Sequence, residues 1–100
     1  MCSFLCCVVA TIKERKKCQE RGDTEKVALL CNELGDAYMA KEWYTDAVEE
    51  FKTALHIMKA ISDRKGLATV HRRISECYIE LQDFDPASHH AQECVFFVLV

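Results

Sequence analysis

The stretch Val27–Ala54, VALLCNELGDAYMAKEWYTDAVEEFKTA, decides the fold, because it reads as two amphipathic helices that pack on each other. In its first half Val27, Leu30, Cys31, Leu34 and Tyr38 recur at the i, i+3, i+4 spacing of one helical face. In its second half Tyr44, Ala47, Val48, Phe51, Ala54 and Leu55 do the same. The connection Lys41-Glu42-Trp43 is short enough that the two helices must run antiparallel as a hairpin. Gly35 and Ala47 offer the small surfaces through which two helix backbones approach closely.

The hairpin recurs. Shifting the chain by 40 residues sets Leu30 on Val70, Leu34 on Ile74, Tyr38 on Tyr78, Tyr44 on Phe84 and Ala47 on Ala87. A fixed period in this range marks a helical solenoid. The expected class is therefore all-α, with a short N-terminal helix followed by two helical hairpins. The third helix is predicted from about Lys65 to Leu81 after the Ser62-Asp63 turn. The fourth is predicted after Asp83, with Pro86 in its first turn and Phe84, Ala87 and Ala91 packed on the third.

Outside the hairpins the reading changes. Residues 1–11 are expected to form an apolar leader (MCSFLCCVVA at its start), too short to span a bilayer and without the basic region of a secretory signal. Acylation at Cys2, Cys6 or Cys7 stays open. A charged helix is predicted from Ile12 to Arg21, ended by Gly22-Asp23, with Asp23 or Thr24 capping the next helix. Its basic run Lys13, Arg15, Lys16, Lys17 reads as a solvated face beside Glu14 and Glu20. Repeats are expected over 24–62 and 64–93, within a repeat region of 12–93. Residues 94–100 form an apolar tail that reads as a truncation, because a solenoid finishes on a helix with a polar outer side.

Composition excludes several classes. A hydrophobic share of 50% with 29% charged residues describes a folded chain rather than a disordered one. Three glycines and one proline leave too little turn chemistry for a many-stranded β fold. A net charge of −3 gives no reason to expect contact with nucleic acid. The seven cysteines show no CxxC pair and no Cys/His zinc spacing, so no metal, cofactor or disulfide framework is expected. Cys31 and Cys77 lie on apolar faces as small buried hydrophobes, as in a reducing compartment.

No phosphate loop, nucleophile elbow or HExxH is present, so no catalytic residue is expected. The pair His89-His90 points in divergent directions on a helix, and His71 reads as a partly exposed side chain beside Arg72 and Arg73. A small helical enzyme or metal protein would have to rest on these histidines and the scattered cysteines alone.

Leu34-Gly35, Tyr38, Tyr44, Ala47, Phe51 and Ala54 together resemble the tetratricopeptide repeat. The second copy matches less fully, with Ile74-Ser75, Tyr78, Phe84, Ala87 and an Ala at 91 where an aromatic belongs. The 40-residue period is similar to the long-helix subfamily, with Ser62-Asp63 before Gly66-Leu67-Ala68. By that resemblance the first helices of successive hairpins line a concave, partner-binding groove. Its candidate residues are Asn32, Asp36 and Met39 on one helix and Arg72, Arg73 and Glu76 on the next, flanked by Leu29, Glu33, Thr69 and Glu80. Asp36 puts a negative charge where a carboxylate clamp needs Asn, which disfavours chaperone-tail binding. The resemblance implies a non-enzymatic scaffold for a helical or extended protein segment, with no direct nucleic-acid or membrane contact and with self-association through exposed repeat faces. The segments Ala28–Gly35, Tyr44–Glu49 and Gly66–Glu76 are similar to repeats that serve replication-fork repair by homologous recombination, which implies a nuclear location. The alternative within the subfamily is a cytoplasmic Leu-Gly-Asn-repeat adaptor of spindle orientation and G-protein signalling. Such repeats carry Asn where Asp36 and Glu76 stand here.

Overall fold

Four chain reversals, 20 residues apart, divide the protein. In the computed structural model, which describes Cys2–Leu99 with side chains from Phe4 onward, they fall at Gly22, Glu42, Ser62 and Gln82, whose φ angles are 78°, 62°, 57° and 60°. Each of these left-handed residues ends a helix in the same way. The N–H of the following residue returns to the carbonyl five residues back, Asp23 to Cys18 (2.9 Å), Trp43 to Tyr38 (2.8 Å), Asp63 to Met58 (3.0 Å) and Asp83 to Tyr78 (2.9 Å). This 6→1 bond satisfies a carbonyl that the helix end leaves free. Between the reversals lie α1 (Cys2–Arg21), α2 (Thr24–Ala40), α3 (Tyr44–Ala60), α4 (Arg64–Glu80) and α5 (Phe84–Leu99). The all-α class predicted from the sequence is what the structure has.

The helices stack in two layers. An ion pair between Arg73 and Asp36 (3.3 Å) sets α4 beside α2, and one between Arg15 and Glu50 (2.5 Å) sets α1 beside α3. Hence α2 and α4 form one layer and α1 and α3 the other, which α5 joins where Phe97 shares a groove with Lys59 and Ser62, in a slab of 34 × 31 × 15 Å. Phe51, Leu34, Ile74, Val70, Cys18, Cys31 and Cys77 are fully buried between the layers. The apolar periodicity of Val27–Leu55 thus reaches the core as predicted. Among these, Gly35 lies against the Phe51 ring, where a Cβ would come within 2.5 Å of Cε1.

The ends differ from expectation. Helix α1 starts at Cys2, not at Ile12, and runs unbroken through the apolar leader. The reason is packing: the Phe4 ring meets Trp43 edge-on at 5.4 Å, the Lys41 ammonium lies 5.1 Å from the Phe4 ring, and Val8 is buried. Helix α5 likewise continues through the apolar tail to Leu99, because Phe97 stacks on His71 at 5.8 Å. Met1 and Val100, and the side chains of Cys2 and Ser3, lie outside the described residues, and with them the acylation reading at Cys2. Asp63 caps α4 by accepting from the Gly66 N–H (3.0 Å), as the turn predicted. Asp23 makes no such side-chain cap on α2. Only its main-chain carbonyl serves, accepting from Val27 at 3.1 Å. Of the three α5 residues expected on α4, Ala87 alone is buried, while Phe84 is 62% exposed and Ala91 is exposed. Helix α5 is rotated so that Ala87, His90 and Phe97 face inward.

Candidate functional site

The candidate groove lies on the layer made by α2 and α4. On α2, Leu29, Glu33 and Asp36 are exposed, and Asn32 and Met39 are half-buried. Their spacing of three and four residues keeps them on one helical face. On α4, Thr69, Arg72 and Glu80 are exposed, and Arg73 and Glu76 are half-buried. The structure joins the two faces through one contact, the Arg73 guanidinium on the Asp36 carboxylate. Both partners keep substantial exposure, so the pair positions the helices more than it stabilises them. Arg72 makes no ion pair among the described residues. Met39 packs in part against the core cluster, which reduces what it can offer a partner. Asn32 Oδ1 is buried and has no hydrogen-bond partner. The arrangement thus presents the Arg72 guanidinium, an amide, several carboxylates and the exposed Leu29 along two parallel helices.

Two residue groups escaped the sequence reading. Arg15, read as part of a solvated basic face, is half-buried and bonded. Its Nη1 donates to Glu50 Oε1 and, at 3.8 Å, to the buried Cys31 Sγ, tying α1, α2 and α3 together. Lys13, Lys16 and Lys17 are exposed as expected. The second group is a histidine pair. His71, expected to be partly exposed, is 3% exposed, and its Nδ1 lies 2.8 Å from Nδ1 of His90 across the α4–α5 contact. Tyr78 stacks on His90 at 5.9 Å. One ring must donate and the other accept. His71 Nε2 is buried without a partner, where a bare nitrogen is tolerated better than an unpaired N–H. This assigns the donated proton to His71 Nδ1 and the acceptor role to His90. Burial lowers the pKa of His71, and burial with the neighbouring His71 and His89 lowers that of His90 to about 4. Position could have revealed the pair: His71 stands ten residues before Leu81 and His90 nine after it, so an antiparallel hairpin turning there sets them opposite each other.

Burial raises the Cys31 thiol, and raises that of Cys77 to about 11, which leaves both unreactive. No group of three or more metal-ligating side chains gathers among the described residues. None of the described helices is long and apolar enough to cross a membrane.

The sequence profile of the tetratricopeptide repeat matches residues 25–95. The chain belongs to the tetratricopeptide repeat family. The matched span runs from the start of α2 through most of α5. Among curated proteins the chain is similar to the Tonsoku-like protein of Drosophila melanogaster, 33% identical over 82 residues that make up 82% of this chain and 6% of that protein. It is similar also to the Tonsoku-like proteins of Mus musculus and Bos taurus, each 30% identical over 78 residues, again 6% of their length. The chain therefore spans only a small part of the curated relatives it matches. Tetratricopeptide repeats serve protein–protein interaction, and the chain's repeats resemble those of the Tonsoku-like proteins.

Proposed function

We propose that this chain is a protein-binding scaffold whose α2–α4 face receives a helical or extended segment of a partner in replication-fork repair by homologous recombination. The family membership and the similarity to Tonsoku-like proteins support the reading. The observation that carries it is the α2–α4 face itself, where Arg73 is held by Asp36 while Arg72 stands exposed one turn before half-buried Glu76 on the same helix. A surface carrying both signs of charge suits a partner segment with charges of both signs, through which complementarity selects the partner. The chain works in this reading without catalysis, cofactor or direct nucleic-acid contact, and in the nucleus.

The test is affinity capture from nuclear extract of replication-stressed cells, with the tagged chain and its Arg72→Glu variant compared at equal helicity. Arg72 is preferable to Arg73, since reversing Arg73 would set two carboxylates together at Asp36. Fork-repair proteins recovered by the native chain and lost with Arg72→Glu support the reading. Recovery of the same proteins by both moves the binding surface elsewhere, and recovery of no fork-repair protein removes the pathway.

A further inference from the structure

At one edge of the slab the α2–α3 and α4–α5 turns lie side by side and enclose an open pocket of about 370 Å³, lined by Glu42, Trp43, Tyr44, Thr45, Asp46 and Leu81. Both turns are internal, with α1 against Trp43 through Phe4 and α5 following Leu81. Two aromatic neighbours fix Trp43: Tyr38 stacks on its indole at 5.9 Å and Phe4 meets it edge-on. The indole is nevertheless 47% exposed, and Leu81 on the other turn is 42% exposed. An indole held in this way is a preformed platform, because a ligand that stacks on it need not order the side chain first.

Charge decides what the platform takes. Glu42 and Asp46 line the pocket and Glu80 precedes Leu81. All three are exposed, and none makes an ion pair among the described residues. Glu80 and Glu42 belong to different turns, yet after burial both raise the Tyr44 phenol, so their fields meet in the pocket. Over 40–46 and 80–85 the sole basic residue is Lys41, and its ammonium lies over the Phe4 ring. The opposite edge differs, since its turns at Gly22 and Ser62 interleave acids with Arg21, Lys26, Lys59, Arg64 and Lys65. The negative potential is therefore local to the pocket. An aromatic face beside carboxylates that have no ion-pair partner attracts a cation through both. Arginine suits it better than lysine, because a planar guanidinium lies flat on an indole while its N–H fork reaches carboxylate oxygens.

We propose that this pocket binds an arginine side chain of a partner peptide, with the guanidinium stacked on Trp43 and paired with Glu42 and Asp46. Leu81 offers an apolar wall to the methylene stem. The site lies at the edge of the slab, off the α2–α4 face, and stands whether or not that face receives a partner.

Trp43 is the chain's single tryptophan, so its indole N–H gives one NMR resonance that reports on the pocket alone. Titration with acetyl-Gly-Arg-Gly-amide should shift that resonance saturably below about 20 mM, as a weak single-residue ligand does. The citrulline counterpart, which keeps the shape without the charge, should leave it in place, and the lysine counterpart should bind more weakly. Glu42→Gln with Asp46→Asn should weaken the arginine peptide about fivefold or more, while Arg72→Glu on the α2–α4 face should leave its binding unchanged. Both acids are exposed, so the fold should survive their replacement, which circular dichroism checks. Raising the salt concentration tests the charge without a variant and should also weaken binding. No saturable shift, an equal shift with citrulline or lysine, or full affinity in the double variant overturns the proposal.

Discussion

Gly35 on α2 and Phe51 on α3 share one space: the ring is 1% exposed, and a Cβ at position 35 would stand 2.5 Å from its Cε1. A phenyl ring fixed on all sides cannot move aside cheaply. Gly35→Ala should therefore destabilise the chain by about 1–3 kcal/mol through overpacking, offset in part by a helix-propensity gain of about 1 kcal/mol. Urea unfolding should show a lowered midpoint, and adding Phe51→Leu should recover part of the loss. A raised midpoint for Gly35→Ala would mean that the helices are not held at this distance.

The reversals at Glu42, Ser62 and Gln82 place residues with side chains in the left-handed region, where only Gly22 is at ease. That conformation costs an L-residue about 1–2 kcal/mol, while glycine adds unfolded-state freedom of somewhat under 1 kcal/mol. Each of Glu42→Gly, Ser62→Gly and Gln82→Gly should accordingly stabilise the chain by about 0.5 kcal/mol. Thermal melting of the triple variant should show a clear rise in Tm, and a fall would contradict the turn geometry.

Acid should loosen the α4–α5 contact. Burial and the neighbouring histidines lower His90 from 6.5 to about 4, and burial lowers His71. The unfolded chain then binds more protons than the folded one between these values, so stability rises with pH across that window. Stability from the pair is complete above about pH 6.5 and is lost as pH falls toward 4. NMR titration of the imidazoles should place the His90 midpoint near 4, and Tm should decline over the same range more steeply in the native chain than in His90→Gln. A midpoint at the ordinary histidine value would show that the pair is not formed.

The Arg15–Glu50 pair, with side chains only 22% and 18% exposed, should count for more than a surface ion pair. A double-mutant cycle with Arg15→Met and Glu50→Gln should give a coupling of about 1–2 kcal/mol, against less than 1 kcal/mol for exposed pairs. A coupling near zero would detach α1 from α3.

The hairpins were legible because Leu34, Phe51, Val70 and Ile74 repeat at a helical spacing that only a packed face explains, and all are buried. The candidate groove is what the resemblance to the tetratricopeptide repeat implies, and the structure adds to it the Arg73–Asp36 contact. Contacts between helices distant in sequence were not legible. Arg15 and Glu50 stand 35 residues apart, and nothing local distinguishes Arg15 from the solvated lysines around it. The helix ends differ from the sequence expectation for a related reason. Phe4 and Phe97 find aromatic partners on other helices, so apolar segments that break the local pattern still extend α1 and α5. The connections at Lys41-Glu42-Trp43 and Ser62-Asp63 are legible from the breaks in helical patterning, but Glu42, Ser62 and Gln82 give no glycine signal for their left-handed backbone.

The claim that the α2–α4 face receives the partner is tested most directly by hydrogen–deuterium exchange of the chain with and without a captured partner. Reduced exchange along residues 29–40 and 69–80, with α1 unchanged, is the predicted result. Protection confined to α1 or α5, or absent from both helices of the groove, would contradict it.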